Sequence, residues 1–439
     1  MDATTRTRFI MNKKIAFKTL GCRLNQYETD ALASQFSENH FNVVNFHDKA
    51  DAYVINTCTV THQSDTKSRN IIRQATKNNN DAVVVVTGCM VNNHKKNLEE
   101  NLNQVTYFIE NESKSQIYDL IDAHFKGEIF HPTKESANLF GYAPAKNTFH
   151  TRSMIKIQDG CDNFCTFCII PKVRGRATSR PADEILENIR QVVAFGFKEV
   201  VLTGVNIGRY DDNGIKFDEL VEKILQLNGD FRVRISSIEP EGFTPKLYQL
   251  FRHPKLTPHL HLCIQSGSDK ILLKMRRMYT VETFRKIVSD IRTLIPDFNF
   301  TTDVITGFPG ETANDFQQTL DVVKEIGFSH VHTFKYSVRE GTRAARMDNQ
   351  IPEQVKTQRS EQVRLLTQDN KLKYRQGFVG KKQRVLVEKI DDRGFAHGYG
   401  QHYIPVKFSG QNLQKNHFYD VRIGTIEPGE EPLLVGEAI

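Results

Sequence analysis

Three of the seven cysteines fall within eight residues, as Cys161, Cys165 and Cys168 in a C-x3-C-x2-C run. Soft thiolates set so closely suit a metal centre. Four-iron clusters usually take four thiolates, so three leave one iron open for another ligand. A zinc knuckle and a set of buried thiols are the plainer alternatives. Zinc sites more often pair their cysteines and close with a second pair or with histidines. No second C-x2-C and no H-x3-H pair is present.

Three further cysteines share a different kind of regularity. Residues 15–22, 52–58 and 83–89 are apolar or β-branched runs, each ending in a cysteine: Cys22, Cys58 and Cys89. These cysteines are 36 and 31 residues apart, about the length of one βαβ unit. Val83 to Val86 is continuously apolar, as a strand buried on both faces requires. Helices are expected at 26–39 and 65–77. Right-handed crossovers put all strand C-ends of a parallel sheet on one edge, where ligands bind. Three cysteines at three such ends would meet and could hold a second three-thiolate cluster. The alternative is three buried cysteines that follow strands by accident. Gly21 and Gly88, just before their cysteines, allow tight turns.

The C-x3-C-x2-C run needs a scaffold of its own. Six strand candidates lie at 153–158, 199–203, 232–237, 259–265, 299–305 and 330–336. Helical patterns at 182–194, 217–227, 244–251, 281–294 and 313–326 separate them. Six βα units predict an incomplete barrel, two units short of a closed one. Polar residues gather at the expected strand C-ends, where such barrels build their sites. They include Gly204 and Asn206, Ser237 and Glu239, Gln265, and Asp303 ahead of 307–311. Any one of them alone would read as a turn or cap; their combination around the cysteine run is the signal. Phe167 either flanks a bound ligand or plugs the barrel mouth. Lys172, Arg174, Arg176 and Arg180 follow the run and suit phosphates or an anionic cluster, or simply solvent. Cys263 sits mid-strand and reads as a packing residue.

The chain of 439 residues has room for two or three domains. Its hydrophobic content of 39% and charged content of 25% are those of an ordinary globular protein. No run of eighteen apolar residues suggests a membrane span. The first dozen residues read as a loose polar arm without a signal region, which points to the cytoplasm. The net charge of +7 sits entirely within 146–375, since acids and bases balance on either side. That leaves the middle segment suited to an anionic partner such as nucleic acid. The division expected is an N-terminal domain at 12–130, the barrel at 146–375 and a terminal unit at 376–439. A polar helix over 353–375 leads into short β runs that predict a five-stranded antiparallel barrel. Small β-barrels of this kind often bind looped RNA, and a lid with no ligand is the alternative.

The run Gly160-Cys161-Asp162-Asn163-Phe164-Cys165-Thr166-Phe167-Cys168-Ile169-Ile170-Pro171 resembles the radical S-adenosylmethionine signature. With the N-terminal cysteines and the terminal β unit, nearly the whole chain resembles the radical S-adenosylmethionine methylthiotransferase family. The resemblance implies an α/β multidomain protein: a parallel-sheet domain, a partial (β/α)6 radical S-adenosylmethionine barrel and a TRAM-like RNA-binding barrel. It implies that Cys161, Cys165 and Cys168 hold a 4Fe–4S cluster whose open iron binds S-adenosyl-L-methionine, the source of a 5′-deoxyadenosyl radical on reduction. It implies that Cys22, Cys58 and Cys89 hold a second 4Fe–4S cluster that carries sulfur. Phe167, Gly204, Asn206, Ser237, Glu239, Gln265 and Asp303 would then line the cofactor site. Arg174 and Arg176 are substrate candidates by position and charge. An unactivated C–H bond yields to none of the ordinary side chains, so the hard step belongs to the cofactors. A reductant such as flavodoxin or ferredoxin and an unidentified sulfur donor are implied as partners.

Residues 17–29, Phe-Lys-Thr-Leu-Gly-Cys-Arg-Leu-Asn-Gln-Tyr-Glu-Thr, are similar to the branch acting on threonylcarbamoyladenosine in tRNA. The isopentenyladenosine branch usually has Gln-Met-Asn after this cysteine, and the ribosomal-protein branch Pro-Lys-Asn. Arg23-Leu24 replaces the common Lys-Val of the first branch, a conservative change. The implied substrate is position 37 of the tRNA anticodon loop, modified at carbon 2 of the purine. The alternatives are isopentenyladenosine, a ribosomal protein side chain, or a noncatalytic metal-stabilised RNA-binding protein.

Overall fold

The computed structural model describes residues 13–134, 138–146 and 151–439. The expected N-terminal arm lies outside them. The first unit is a five-stranded parallel sheet. Its order is Asn42–Val44, Lys14–Thr19, Ala52–Thr57, Val83–Gly88 and Tyr107–Ile109. The three central strands are those expected from the cysteine-terminated runs. The two outer strands have three residues each, too few to show a period. Val83 and Val85 pack into one apolar cluster and Val84 and Val86 into another on the opposite face. That two-sided burial is why the run lacks polar alternation.

The second unit carries its six strands in chain order as two parallel three-stranded sheets. Ser153–Lys156, Glu199–Thr203 and Arg232–Ile235 form one; His259–His261, Asn299–Thr306 and His330–Lys335 form the other. Single parallel bridges, Val233 to Leu256 and Ile238 to Leu262, join them into one open barrel. Helices Ala182–Ala194, Val281–Leu294 and Ala313–Ile326 match the sequence expectation. Outward residues such as Val233, Ile235, Leu260, Leu262 and Phe300 join the core under the helices. By the strand period of two, Arg234, Ser236, His261, Cys263, Thr301 and Asp303 face the barrel interior.

Helix Glu353–Gln376 leads to the terminal unit, a closed barrel of five strands. Its strands are Lys382–Ile390, Ala396–Tyr399, Pro405–Ser409, Leu433–Ala438 and Phe418–Glu427, in that order around the barrel. The expected all-antiparallel pairing is corrected here: Pro405–Ser409 and Leu433–Ala438 run parallel. An odd number of strands cannot alternate direction all the way round a closed barrel, so at least one pair must be parallel. Among the described residues no helix is long and apolar enough to cross a membrane.

Candidate functional site

Cys22, Cys58 and Cys89 sit where three adjacent parallel strands end. Gly21 and Gly88 make the turns with φ of +93° and +99°, a region open to glycine. A Cβ on Gly21 would lie 2.7 Å from the Cys58 Cβ, so the first strand end abuts the second. Asn25 locks the two together: its Nδ2 donates to the Leu20 carbonyl at 2.8 Å and the Thr57 carbonyl at 3.0 Å. Asn111 Nδ2 lies 3.9 Å from Cys89 Sγ and donates to the Val173 carbonyl at 2.9 Å. Burial pushes the Cys22 thiol up and the Cys58 thiol to about 11, and neighbouring cysteines add to both shifts. Cys22 is nevertheless accessible.

Cys161, Cys165 and Cys168 lie on the loop after the first barrel strand. Gly160 turns into it with φ of +66°, and a Cβ there would stand 2.0 Å from the Arg176 carbonyl. The loop is clamped from the far side of the barrel. Thr166 N donates to the Met275 carbonyl at 3.0 Å, Thr166 Oγ1 to the Lys274 carbonyl at 2.8 Å, and Ala344 N to the Thr166 carbonyl at 2.8 Å. Burial pushes Cys165 up and Cys168 to about 12, and the triad's own members contribute. Phe167 stands edge-on to Phe308 at 6.4 Å and beside the Arg277 guanidinium at 5.7 Å.

A single zinc ion about 2.3 Å from each sulfur would draw its ligands within about 4 Å of one another. Among the described residues the one such group gathered within 4.8 Å is His261, Cys263 and Asp303. There burial and Asp303 push the Cys263 thiol far up, which keeps it protonated and a poor ligand. His261 Nε2 already pairs with Asp303 at 3.1 Å. Among the described residues neither cysteine triad forms such a compact group.

A buried ion network joins the triads. Glu28 meets Lys114 at 2.5 Å, Lys156 at 3.0 Å and Arg174 at 3.2 Å; Asp159 meets Lys156 at 2.6 Å and Arg174 at 2.9 Å. Burial alone would raise the Glu28 carboxyl; Arg174, then Lys114 and Lys156, outweigh it and hold Glu28 well below the carboxylate range. The three cations exceed the two carboxylates by one charge, beside Cys22 and Cys89. That excess suits anionic thiolates. Arg174 is therefore corrected as a substrate contact. Its side chain is buried and engaged with Glu28, Asp159 and Asn25 Oδ1 at 2.6 Å. The short helix Ile170–Arg174 begins two residues after Cys168. The stretch from Cys168 to Arg174 spans on the order of 10 Å, so it sets the two triads near one another. Arg176, in contrast, is exposed, pairs with Asp162 at 2.5 Å and lies 5.7 Å from the exposed Phe164 ring.

The other strand-end candidates gather on the barrel's upper rim and interior. Asn206 is buried, and neither atom of its side-chain amide has a protein partner. Gln158 Oε1 holds the turn by accepting from Val205 N at 3.0 Å and Asn206 N at 2.8 Å. Gly204 has no room for a side chain, with Gln158 O 2.8 Å from an added Cβ. Glu239 pairs with Arg277 at 2.8 Å, and burial still pushes its carboxyl up. Ser237 is half-buried on the same strand end. Gln265 takes a left-handed φ of +64° and its backbone ties to Asp303. Burial would raise Asp303, but His261 holds it down. Sequence reasoning missed Arg277 and Glu241. Both Glu241 oxygens are buried without a partner, and both residues act electrostatically on Cys165. Its place two residues after Glu239 was the available signal.

The open barrel, the cysteine loop after its first strand and the unpartnered polar groups above it define a radical S-adenosylmethionine enzyme. Residues 155–323 match the model of the Radical SAM superfamily, and residues 14–110 match that of Uncharacterized protein family UPF0004. The chain is 37% identical over 422 residues to a threonylcarbamoyladenosine tRNA methylthiotransferase of Thermotoga maritima, covering 94% of this chain and 95% of that one. It is 36% identical over 386 residues to a tRNA-2-methylthio-N(6)-dimethylallyladenosine synthase of Fusobacterium nucleatum, covering 86% and 88%. A radical S-adenosylmethionine methyltransferase structure from Kitasatospora setae shares the fold, with a TM-score of 0.55, 15% identity, and 76% of this chain and 77% of that one covered. The chain belongs to the tRNA methylthiotransferase family. Enzymes of this kind use S-adenosylmethionine and two 4Fe–4S clusters.

Proposed function

We propose that this enzyme inserts a methylthio group at carbon 2 of threonylcarbamoyladenosine at position 37 of tRNA. The carrying observation is the pair of cysteine triads set near one another by the stretch Cys168–Arg174. Cys161, Cys165 and Cys168 would hold the cluster that binds S-adenosylmethionine, and Cys22, Cys58 and Cys89 the second cluster. When bound, these groups supply the hydrogen-abstracting radical, the sulfur and the methyl group. The protein's part is placement. The free amide of Asn206 and the Glu239–Arg277 pair suit the polar amino-acid and ribose groups of S-adenosylmethionine. Glu241, with both oxygens unpartnered, suits the ammonium group. The terminal barrel and the exposed Arg176 suit the anticodon arm, and a flavodoxin- or ferredoxin-type donor suits the reduction.

The choice of nucleoside rests on residues 22–25 and on coverage, because one percentage point of identity separates the two tRNA branches. Anaerobic reconstitution tests the reading. About eight irons per chain are expected, with methylthio product from a stem-loop bearing threonylcarbamoyladenosine. Alanine at Cys161, Cys165 and Cys168 should abolish 5′-deoxyadenosine formation. Alanine at Cys22, Cys58 and Cys89 should leave uncoupled 5′-deoxyadenosine but no product. One tight zinc and no iron would sink the reading.

A further inference from the structure

Arg23 follows Cys22 directly and starts the helix Arg23–Glu38. That helix packs against the first barrel strand, Ser153–Lys156, and its first residue reaches toward the barrel. Arg23 Nη1 makes one long hydrogen bond to the Ser236 carbonyl, at 3.5 Å. Ser236 leads the strand end that carries Glu239. Among the described residues no carboxylate lies within ion-pair distance of Arg23. Glu199, an acid that acts on Arg23 electrostatically, is already held by Arg232 at 2.6 Å and Arg234 at 2.9 Å. Charged or polar groups around Arg23 include Arg152, Arg234, His259, His332 and Tyr403, whose ring centroid is 6.0 Å from the Arg23 guanidinium carbon. Arg23 is half-buried. Its guanidinium, with one long hydrogen bond and no carboxylate, keeps donors free for an arriving anion.

The two candidate nucleosides differ in just this respect. Threonylcarbamoyladenosine carries the free carboxylate of its threonine on the N6 substituent; isopentenyladenosine carries a hydrocarbon. We propose that Arg23 binds the threonyl carboxylate and is the residue that selects this nucleoside. A guanidinium can take a carboxylate with two parallel hydrogen bonds, fixing orientation as well as charge.

The inference rests on the proposed nucleoside, and the experiment separates the two. Reconstituted wild type, Arg23→Lys and Arg23→Gln are tested without reductant for binding of anticodon stem-loops. The loops carry threonylcarbamoyladenosine, its threonine carboxamide analogue, or isopentenyladenosine; kcat/KM is then measured with reductant. Wild type should bind the carboxylate loop about 10- to 100-fold more tightly than the carboxamide loop, the range of a hydrogen bond to a charged group. Arg23→Lys should keep most of that ratio. Arg23→Gln should bring it to about one, with the larger loss falling on the carboxylate loop, a change that simple loss of packing would not produce. Wild type that fails to distinguish acid from amide overturns the proposal, whatever the variants do. Arg23→Gln that weakens all three loops equally also overturns it and assigns Arg23 to backbone phosphate. Wild type that methylthiolates only isopentenyladenosine removes the nucleoside assignment itself.

Discussion

Glu28→Gln tests the network between the triads. In the wild type Glu28 faces Lys114, Lys156 and Arg174 with almost no exposure. The substitution keeps the shape but leaves three cations against Asp159 alone. Removing one partner of a buried pair costs about 3–5 kcal/mol. With a urea m-value of about 2–3 kcal/mol/M, the midpoint of the transition that melts the N-terminal sheet should fall by about 1–2.5 M. The chain has no tryptophan, so circular dichroism is the suitable probe. Because the Glu28 pKa is depressed in the folded state, its contribution is full above its unfolded pKa of about 4.3 and fades as pH falls through the folded value. The deficit of Glu28→Gln should therefore be constant from pH 7 to about 5 and shrink below about pH 4. Adding Lys114→Met restores the wild-type excess of one positive charge and should recover a substantial part of the loss. A deficit under about 1 kcal/mol, or no recovery in the double variant, would refute the charge accounting.

Three other variants separate the parts of the site. Gly160→Ala drives a Cβ to 2.0 Å from the Arg176 carbonyl; about four of about eight irons should be lost on reconstitution, read by iron assay and electron paramagnetic resonance. Arg176→Ala should leave the unfolding midpoint unchanged, because its one ion pair is exposed, while reducing tRNA affinity and lowering the salt slope of binding by about one. Arg174→Gln should do the opposite: tRNA affinity measured by titration stays, and stability falls, by less than in Glu28→Gln because two cations and two carboxylates remain.

The elements that bring the cysteines together were readable because their signals are local. Val83–Val86 followed by Thr-Gly-Cys states a buried strand and its turn within seven residues. The six barrel strands were found for the same reason, each framed by a helix of clear period. What could not be read depends on partners distant in sequence. Lys172 to Arg180 read as one basic run, yet Arg174 turns inward to a glutamate 146 residues away while Arg176 stays in solvent. Nothing in the run itself distinguishes them, since the short helix Ile170–Arg174 sets which side chain faces in. Glu28 likewise carries no local mark of its three buried partners. Arg23 was read as a conservative change, and its environment became visible only once the barrel and Tyr403 of the terminal unit closed around it.

The most direct test of the nucleoside assignment is mass spectrometry of tRNA nucleosides from a strain lacking this gene. The account predicts loss of methylthio-threonylcarbamoyladenosine, accumulation of threonylcarbamoyladenosine, and unchanged methylthio-isopentenyladenosine. Unchanged methylthio-threonylcarbamoyladenosine in that strain would contradict it.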